Sequence, residues 1–394
     1  MQVVVTVEHH FARTPDGKVW THTIYSHSFW LRYLDVFDQV CVVGRVQDVP
    51  AAKENWKRVD GGRISVTSIP DYLGPWQYLQ KASQIQQAAI NAVGAADAVI
   101  FRVPSQLASI IEPLLRSKGH PYAVEVIADP YDVFSPGAFR HPLRPFFRWW
   151  FTRQLQQQCH FACAAAYVTS SVLQRRYPCP NLEVGVSDVE LVDGWLAPAP
   201  RIYREEKRTF TLITVATLAQ LYKAPHILID AVASCISSGL DIKLIIVGDG
   251  KHLIELEKRV VNLGLEKRVE FQGQLASGDA IRVQLDRADV FVLPSYQEGL
   301  PRAMIEAMAR ALPCIGSTVG GIPELLNQED MIPPGNVAAL ASKILYVVTL
   351  PERMSMMSAR NWEKAKEYDY EVLRQQWNKF YGQVRSHTQS WLNG

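Results

Sequence analysis

Short apolar runs alternate with amphipathic stretches along almost the whole chain, and several runs are apolar through most of their length rather than alternating. In the first half they are Val3–Val7, Val40–Val46, Ile64–Ile69, Ala98–Val103, Tyr122–Ile127 and Tyr167–Ser170. In the second half they are Thr211–Ala216, Lys243–Val247, Val269–Phe271, Val290–Leu293 and Pro313–Gly316. A strand covered on both faces needs no polar alternation, so these runs read as buried strands of parallel sheets. Helical patterns such as His252–Asn262 and Ala303–Ala309 lie between them. Strand and helix in alternation predict an α/β fold.

A length of 394 residues suits two domains. The pattern breaks at Leu196-Ala197-Pro198-Ala199-Pro200, which reads as an extended linker because proline restrains itself and the residue before it. The expected organisation is a first α/β domain over 1–200 and a second over 201–370. A helix and tail over 371–394 would pack back on the first. Two such domains with a hinge leave a cleft, and ligands of these folds bind where strands end. The chemistry is therefore sought on loops that follow strands.

Charge and composition narrow the classes. The net charge of +2 is too small to argue for nucleic acid. None of the six cysteines forms a C-x-x-C pair and no histidine cluster has zinc-like spacing, so no metal site is expected, and buried reduced thiols are. The start Met1-Gln2-Val3-Val4-Val5 lacks a basic leader segment, and no apolar run reaches about 18 residues. The expected location is the cytoplasm, with peripheral attachment at the inner membrane left open.

The segment Asp289–Ala309, DVFVLPSYQEGLPRAMIEAMA, concentrates the chemistry. Val290–Leu293 is a strand, Pro294–Leu300 its exit loop, and Pro301 suits a helix start. The amides of Gly299, Leu300 and Arg302 then lie near a helix N-terminus, which attracts phosphate. Glu298 stands in the loop and Glu306 in the helix; carboxylates accept paired hydrogen bonds from sugar or ribose hydroxyls. By themselves, two glutamates near a helix start also read as solvated side chains.

The spacing of Glu298 and Glu306, a Glu, seven residues and another Glu, resembles the hallmark of the family 4 glycosyltransferases. Those enzymes share the GT-B architecture, two Rossmann-like domains facing each other across a cleft. The resemblance extends through Cys314–Glu324, Val247-Gly248-Asp249-Gly250 and Lys223-Ala224-Pro225, and is weak in the first half. It implies that Glu298 contacts the transferred sugar, Glu306 holds the nucleotide ribose, and amides around Gly299 and Leu300 meet the phosphates. It implies that Lys223 neutralises the diphosphate. An Arg is usual six residues before that Lys; here Thr217 stands there, so one strong cation replaces two, with Arg302 as a further source of charge. Gly248 would let the backbone approach the nucleotide, and Leu275, beside Gln274, would meet the base.

The first domain departs more. The Gly pair usual after the first strand is reduced to Asp16-Gly17, and the usual His after the Tyr122–Ile127 strand is absent. Asp129 is the nearest polar candidate for the sugar or acceptor, against a plain reading as a turn residue before Pro130. His9 and His10, read as following the first strand, are candidate cleft residues or surface residues.

The resemblance implies a retaining transfer that needs no metal or other cofactor. The donor would be a UDP-sugar, UDP-glucose first. The acceptor would be a saccharide or a lipid-linked saccharide in bacterial exopolysaccharide synthesis. As a whole the chain is similar to bacterial exopolysaccharide transferases, among them one of cyanobacterial heterocyst envelope polysaccharide synthesis. A sugar-nucleotide epimerase of similar fold and a non-catalytic nucleotide-sugar-binding subunit are the rival classes.

One stretch stands apart. From Val133 to Leu182 there are six Arg and no Asp or Glu. Arg140, Arg144 and Arg148 recur every four residues among Phe139, Phe146, Phe147, Trp149, Trp150 and Phe151. Phe139–Arg153 reads either as a basic amphipathic element for an anionic membrane or as a packed helix whose Arg stems snorkel. No nucleic-acid-binding module accompanies the charge.

Overall fold

The computed structural model describes residues 1–134, 141–189, 191, 194–204, 209–276 and 278–394. The chain packs into two compact units. One comprises Met1–Pro130, Trp149–Val186 and Arg374–Gly394; the other comprises Tyr131–Arg148 and Ser187–Leu373.

In the first unit the described residues build a nine-stranded sheet: β1 (Gln2–Arg13), β2 (Val19–Thr21), β3 (Gln39–Asp48), β4 (Lys57–Arg58), β5 (Ile64–Pro70), β6 (Ala98–Val103), β7 (Ala123–Val126), β8 (Ala164–Tyr167) and β9 (Leu182–Gly185). The parallel body runs β5-β3-β1-β6-β7-β8-β9, and β2 and β4 extend it antiparallel from the far end of β1. Chain order reverses between β1 and β6, a topological switch point.

Two details differ from the sequence reading. β1 does not stop at Val7: after a register shift between Thr6 and His10 it pairs again with β3 as far as Arg13. His9 and His10 therefore lie inside the strand. The apolar pattern ends at Val7, but backbone pairing to β3 and β2 carries the strand on. β8 is Ala164–Tyr167 rather than Tyr167–Ser170. Alanine has weak strand preference, yet Ala164, Ala165 and Ala166 are all buried. Between two covered sheet faces, small side chains fit where propensity alone would not place them.

The C-terminal helix Tyr370–Asn393 clamps this unit from Arg374 onward. Arg374 pairs with Asp35 at 2.7 Å, Arg32 lies 4.1 Å over the Trp377 ring, and Trp391 packs on His120 at 4.3 Å. Beneath it, the buried Glu125 carboxylate pairs with Arg102 and accepts from Tyr33 at 2.8 and 3.0 Å and from Tyr381 at 3.4 Å.

The second unit carries a six-stranded, all-parallel sheet: β10 (Thr209–Val215), β11 (Asp241–Val247), β12 (Val269–Phe271), β13 (Val290–Leu293), β14 (Cys314–Ser317) and β15 (Met331–Ile332). Its order is β12-β11-β10-β13-β14-β15, so its switch point falls between β10 and β13. Leu212, Leu244, Ile246 and Val290 of the sheet form one core with Leu228, Val232 and Ile344 of covering helices.

The proline-rich linker is fastened rather than free. The Ala197 amide donates to the Ala309 carbonyl at 2.8 Å, and the Trp362 indole donates to the Ala197 carbonyl at 2.7 Å. Extended backbone has no internal partners, so the second unit supplies them.

Candidate active site

In the second unit every sequence-predicted site residue lies on a loop or helix start at the carboxyl edge of the sheet, apart from Glu306 one turn into its helix. Thr217 and Lys223 follow β10, Gly248 follows β11, Leu275 follows β12, and Glu298 to Glu306 follow β13. The two strands that flank the switch point bring Lys223 and Glu298 together. Lys223 Nζ donates to both Glu298 carboxylate oxygens, at 2.7 and 2.6 Å. The pair is largely withdrawn from solvent, the side chains being 17% and 4% exposed.

Local structure explains the placement. Lys223 ends a short 3-10 turn, and Ala224 takes a left-handed conformation, φ 54°, before the helix Pro225–Ser237. A non-glycine residue is strained there, and its burial holds it. The Tyr296 amide donates to the Tyr222 carbonyl at 2.7 Å, tying the β13 loop to this turn.

The sequence reading missed Ser295, three residues before Glu298, since no local pattern marks it. Its buried hydroxyl donates to Glu298 Oε1 at 2.6 Å. The loop after β14 then locks the backbone. Ser317 Oγ donates to the Ser295 carbonyl and the Gly321 amide to the Gly299 carbonyl, both at 2.6 Å. Gly320 has φ 52°, and a Cβ there would lie 2.0 Å from the Glu298 carbonyl oxygen. Only glycine permits that approach.

Glu306 is on the helix Arg302–Ala309. Burial raises its pKa, and Arg302 one turn earlier partly offsets this. Among the described residues, no hydrogen bond or ion pair holds its carboxylate. Leu300 is buried and Arg302 opens the helix.

Thr217 is exposed and its hydroxyl accepts from the Ala219 amide at 3.2 Å. Gly248 serves backbone packing within the protein: a Cβ there would lie 1.8 Å from the Ala216 carbonyl oxygen. The Leu218 amide donates to the Asp249 carbonyl at 2.9 Å, so the two loops form one layer. Leu275 is partly buried and Gln274 exposed.

In the first unit Asp129 is buried, and Arg176 and Tyr177 both bind its carboxylate. His10 binds Asp71 at 2.6 Å and His9 binds Thr21 at 2.8 Å. At this unit's switch point Glu8 Oε1 accepts from Ser105 Oγ at 3.1 Å, the Gln106 amide at 2.7 Å and the Leu107 amide at 3.1 Å. The helix Gln106–Ser117 thus has its N-terminal amides filled from within.

Among the described residues no group of three His, Cys, Asp or Glu is placed to hold a metal ion, and no helix is long and apolar enough to cross a membrane. All six cysteines are free and buried.

Two parallel-sheet units, one with a lysine, a carboxylate and helix-end amides at its switch point, define the class: a Rossmann-like α/β enzyme. Residues 209–349 match the family model described as glycosyl transferases group 1. Protein CapJ of Staphylococcus aureus is 27% identical over 328 residues, 81% of this chain and 80% of CapJ. The putative colanic acid biosynthesis glycosyltransferase WcaL of Escherichia coli is 30% identical over 175 residues, 42% of each chain. Sucrose-phosphate synthase from Thermosynechococcus elongatus superposes with a TM-score of 0.71 at 16% identity, over 98% of this chain and 100% of that one. Anabaena HepE in complex with UDP and glucose superposes with 0.65 at 16% identity, over 95% and 98%. The chain carries a group 1 glycosyltransferase domain and is a glycosyltransferase of the GT-B fold.

Proposed function

We propose that the enzyme transfers a hexose, glucose first, from a UDP-sugar to a saccharide or lipid-linked saccharide during polysaccharide synthesis, with retention of anomeric configuration. The observation that carries this reading is the Lys223–Glu298 pair at the switch point, beside a helix N-terminus. Breaking the anomeric bond places negative charge on the leaving diphosphate. Lys223 and the amides of Gly299 and Leu300 stabilise it. Glu298 accepts hydrogen bonds from sugar hydroxyls, and the unpaired Glu306 accepts them from the ribose. HepE, crystallised with UDP and glucose, and WcaL, named for colanic acid synthesis, support the donor and the pathway class. Incubation with a panel of nucleotide sugars and saccharide acceptors tests it. UDP release with a new α-linked glycoside from an α-linked donor is expected; an epimerised or an unchanged donor would favour the rival classes instead.

Peripheral membrane contact belongs to the same proposal. Phe139 and Arg140 lie outside the described residues. In the helix Arg144–Phe161 and just before it, Leu143, Phe146, Trp149 and Trp150 are each at least half exposed. Arg153 is exposed among them, whereas Arg148 is engaged, its Nε donating to the Tyr131 carbonyl at 2.9 Å. Aromatic and basic side chains in a stretch, 133–182, that holds no Asp or Glu suit an anionic lipid surface. Salt-sensitive co-sedimentation with phosphatidylglycerol vesicles is expected, and loss of it in Trp149→Ser/Arg153→Glu. Wild type that ignores such vesicles at low salt would remove the membrane from the proposal.

A further inference from the structure

The group that should meet the diphosphate and the group that should meet the sugar are bound to each other in the free enzyme. Glu298 accepts three side-chain hydrogen bonds from two donor groups: two from Lys223 Nζ and one from Ser295 Oγ. It is buried, and its backbone is held by Gly320 and by the Gly321–Gly299 hydrogen bond. The carboxylate therefore cannot follow the lysine when an anion draws Lys223 away. A buried carboxylate that loses its cation is costly unless other donors replace it.

We infer that the Lys223–Glu298 pair makes the site prefer the loaded donor over spent UDP. This rests on the proposed donor reading. A UDP-sugar takes Lys223 with its diphosphate and returns donors to Glu298 through its sugar hydroxyls. UDP takes Lys223 and returns nothing, so Glu298 keeps Ser295 alone. After transfer the carboxylate competes for the lysine and helps expel UDP. Specificity of this kind comes from a penalty against the wrong ligand rather than from added contacts to the right one.

The two partners of Glu298 give opposite signs. Glu298→Gln removes the charge that competes for Lys223. UDP should bind about tenfold tighter, the scale of one charge-assisted hydrogen bond, while UDP-glucose gains nothing. Ser295→Ala leaves Glu298 more dependent on Lys223, so UDP should weaken about threefold more than UDP-glucose does. Calorimetry on the whole chain with UDP and UDP-glucose, without acceptor, reads both ratios. Opposite shifts of the ratio in the two variants support the inference. A ratio that stays put, or that moves the same way in both, overturns it while leaving the donor reading intact. Wild type that binds neither ligand overturns both. Thermal melting of each variant confirms that it is folded, and Ser295→Thr, which keeps the hydroxyl, should restore the wild-type ratio.

Discussion

Each unit has a parallel sheet with a switch point, and in each a helix begins beside it, but the two are filled differently. In the first unit Glu8 caps the helix amides of Gln106 and Leu107 and also lies 3.3 Å from Arg45. The place where a Rossmann-like fold takes an anion is thus occupied by the protein's own carboxylate. In the second unit the β13 loop offers no such internal cap: the helix Arg302–Ala309 has no side-chain N-cap, and the Glu298 carboxylate of that loop is turned to Lys223. The same architecture has one anion site closed from within and one left for a ligand. That difference, more than the sheets themselves, is why the proposed function puts the diphosphate at the second unit.

The strongest way to break the comparison is at Lys223. Lys223→Ala should lower kcat by on the order of 10²–10³, the usual scale for losing one preorganised charge. Steady-state turnover close to wild type would mean that the cation at the open switch point is not the one that faces the leaving group.

Glu306 sharpens it next. Glu306→Ala should weaken UDP and UDP-sugar by about tenfold alike, because both contain the ribose. Its pKa is raised by burial, so the ionised form that accepts ribose hydroxyls is lost at a higher pH than for an ordinary Glu. UDP affinity should fall as pH drops through that raised value, and Glu306→Gln should flatten the profile. Titration calorimetry across pH checks both; an unchanged UDP affinity in folded Glu306→Ala removes the ribose role.

Glu8 probes the closed site. Glu8→Gln weakens a cap on two amides and should lower stability by about 1–2 kcal/mol with turnover unaltered. Chemical denaturation and activity measured together decide it. A loss of turnover at unchanged stability would make the first unit's switch point part of the active site.

The smallest effect concerns His9. Burial, then His22, His10 and Arg45, lower its pKa to about 4. The unfolded chain protonates it near pH 6.5, so between about 4 and 6.5 the unfolded state binds more protons. Its contribution to stability therefore rises with pH across that window and is lost as pH falls through it. Melting curves from pH 4 to 7 should show a shallower pH dependence in His9→Asn than in wild type.

Much of this was legible in the residues. Runs dominated by apolar residues gave the parallel strands, and Glu298 and Glu306 with their proline and glycine surroundings gave the β13 loop and helix, because those signals are local in the chain. Ser295 was in plain view but silent: a serine three residues before a glutamate has no meaning until the loop folds back on itself. Gly248 was read as room for a nucleotide, and the sequence did not show the further demand for glycine there, the approach of the Ala216 carbonyl of another loop.

By itself the sequence determined the strand and helix alternation, the break before the second sheet, and the identity of the glutamates and lysine, since periodicity and motif spacing are properties of neighbours in the chain. The tertiary structure decided which of these groups meet. Lys223 and Glu298 are 75 residues apart and touch because β10 and β13 are adjacent in the sheet. Glu8 and Gln106 are 98 apart and touch because β1 and β6 are. Strand order brings distant residues together through hydrogen bonds and burial across the sheet, and no pattern within a single segment records it.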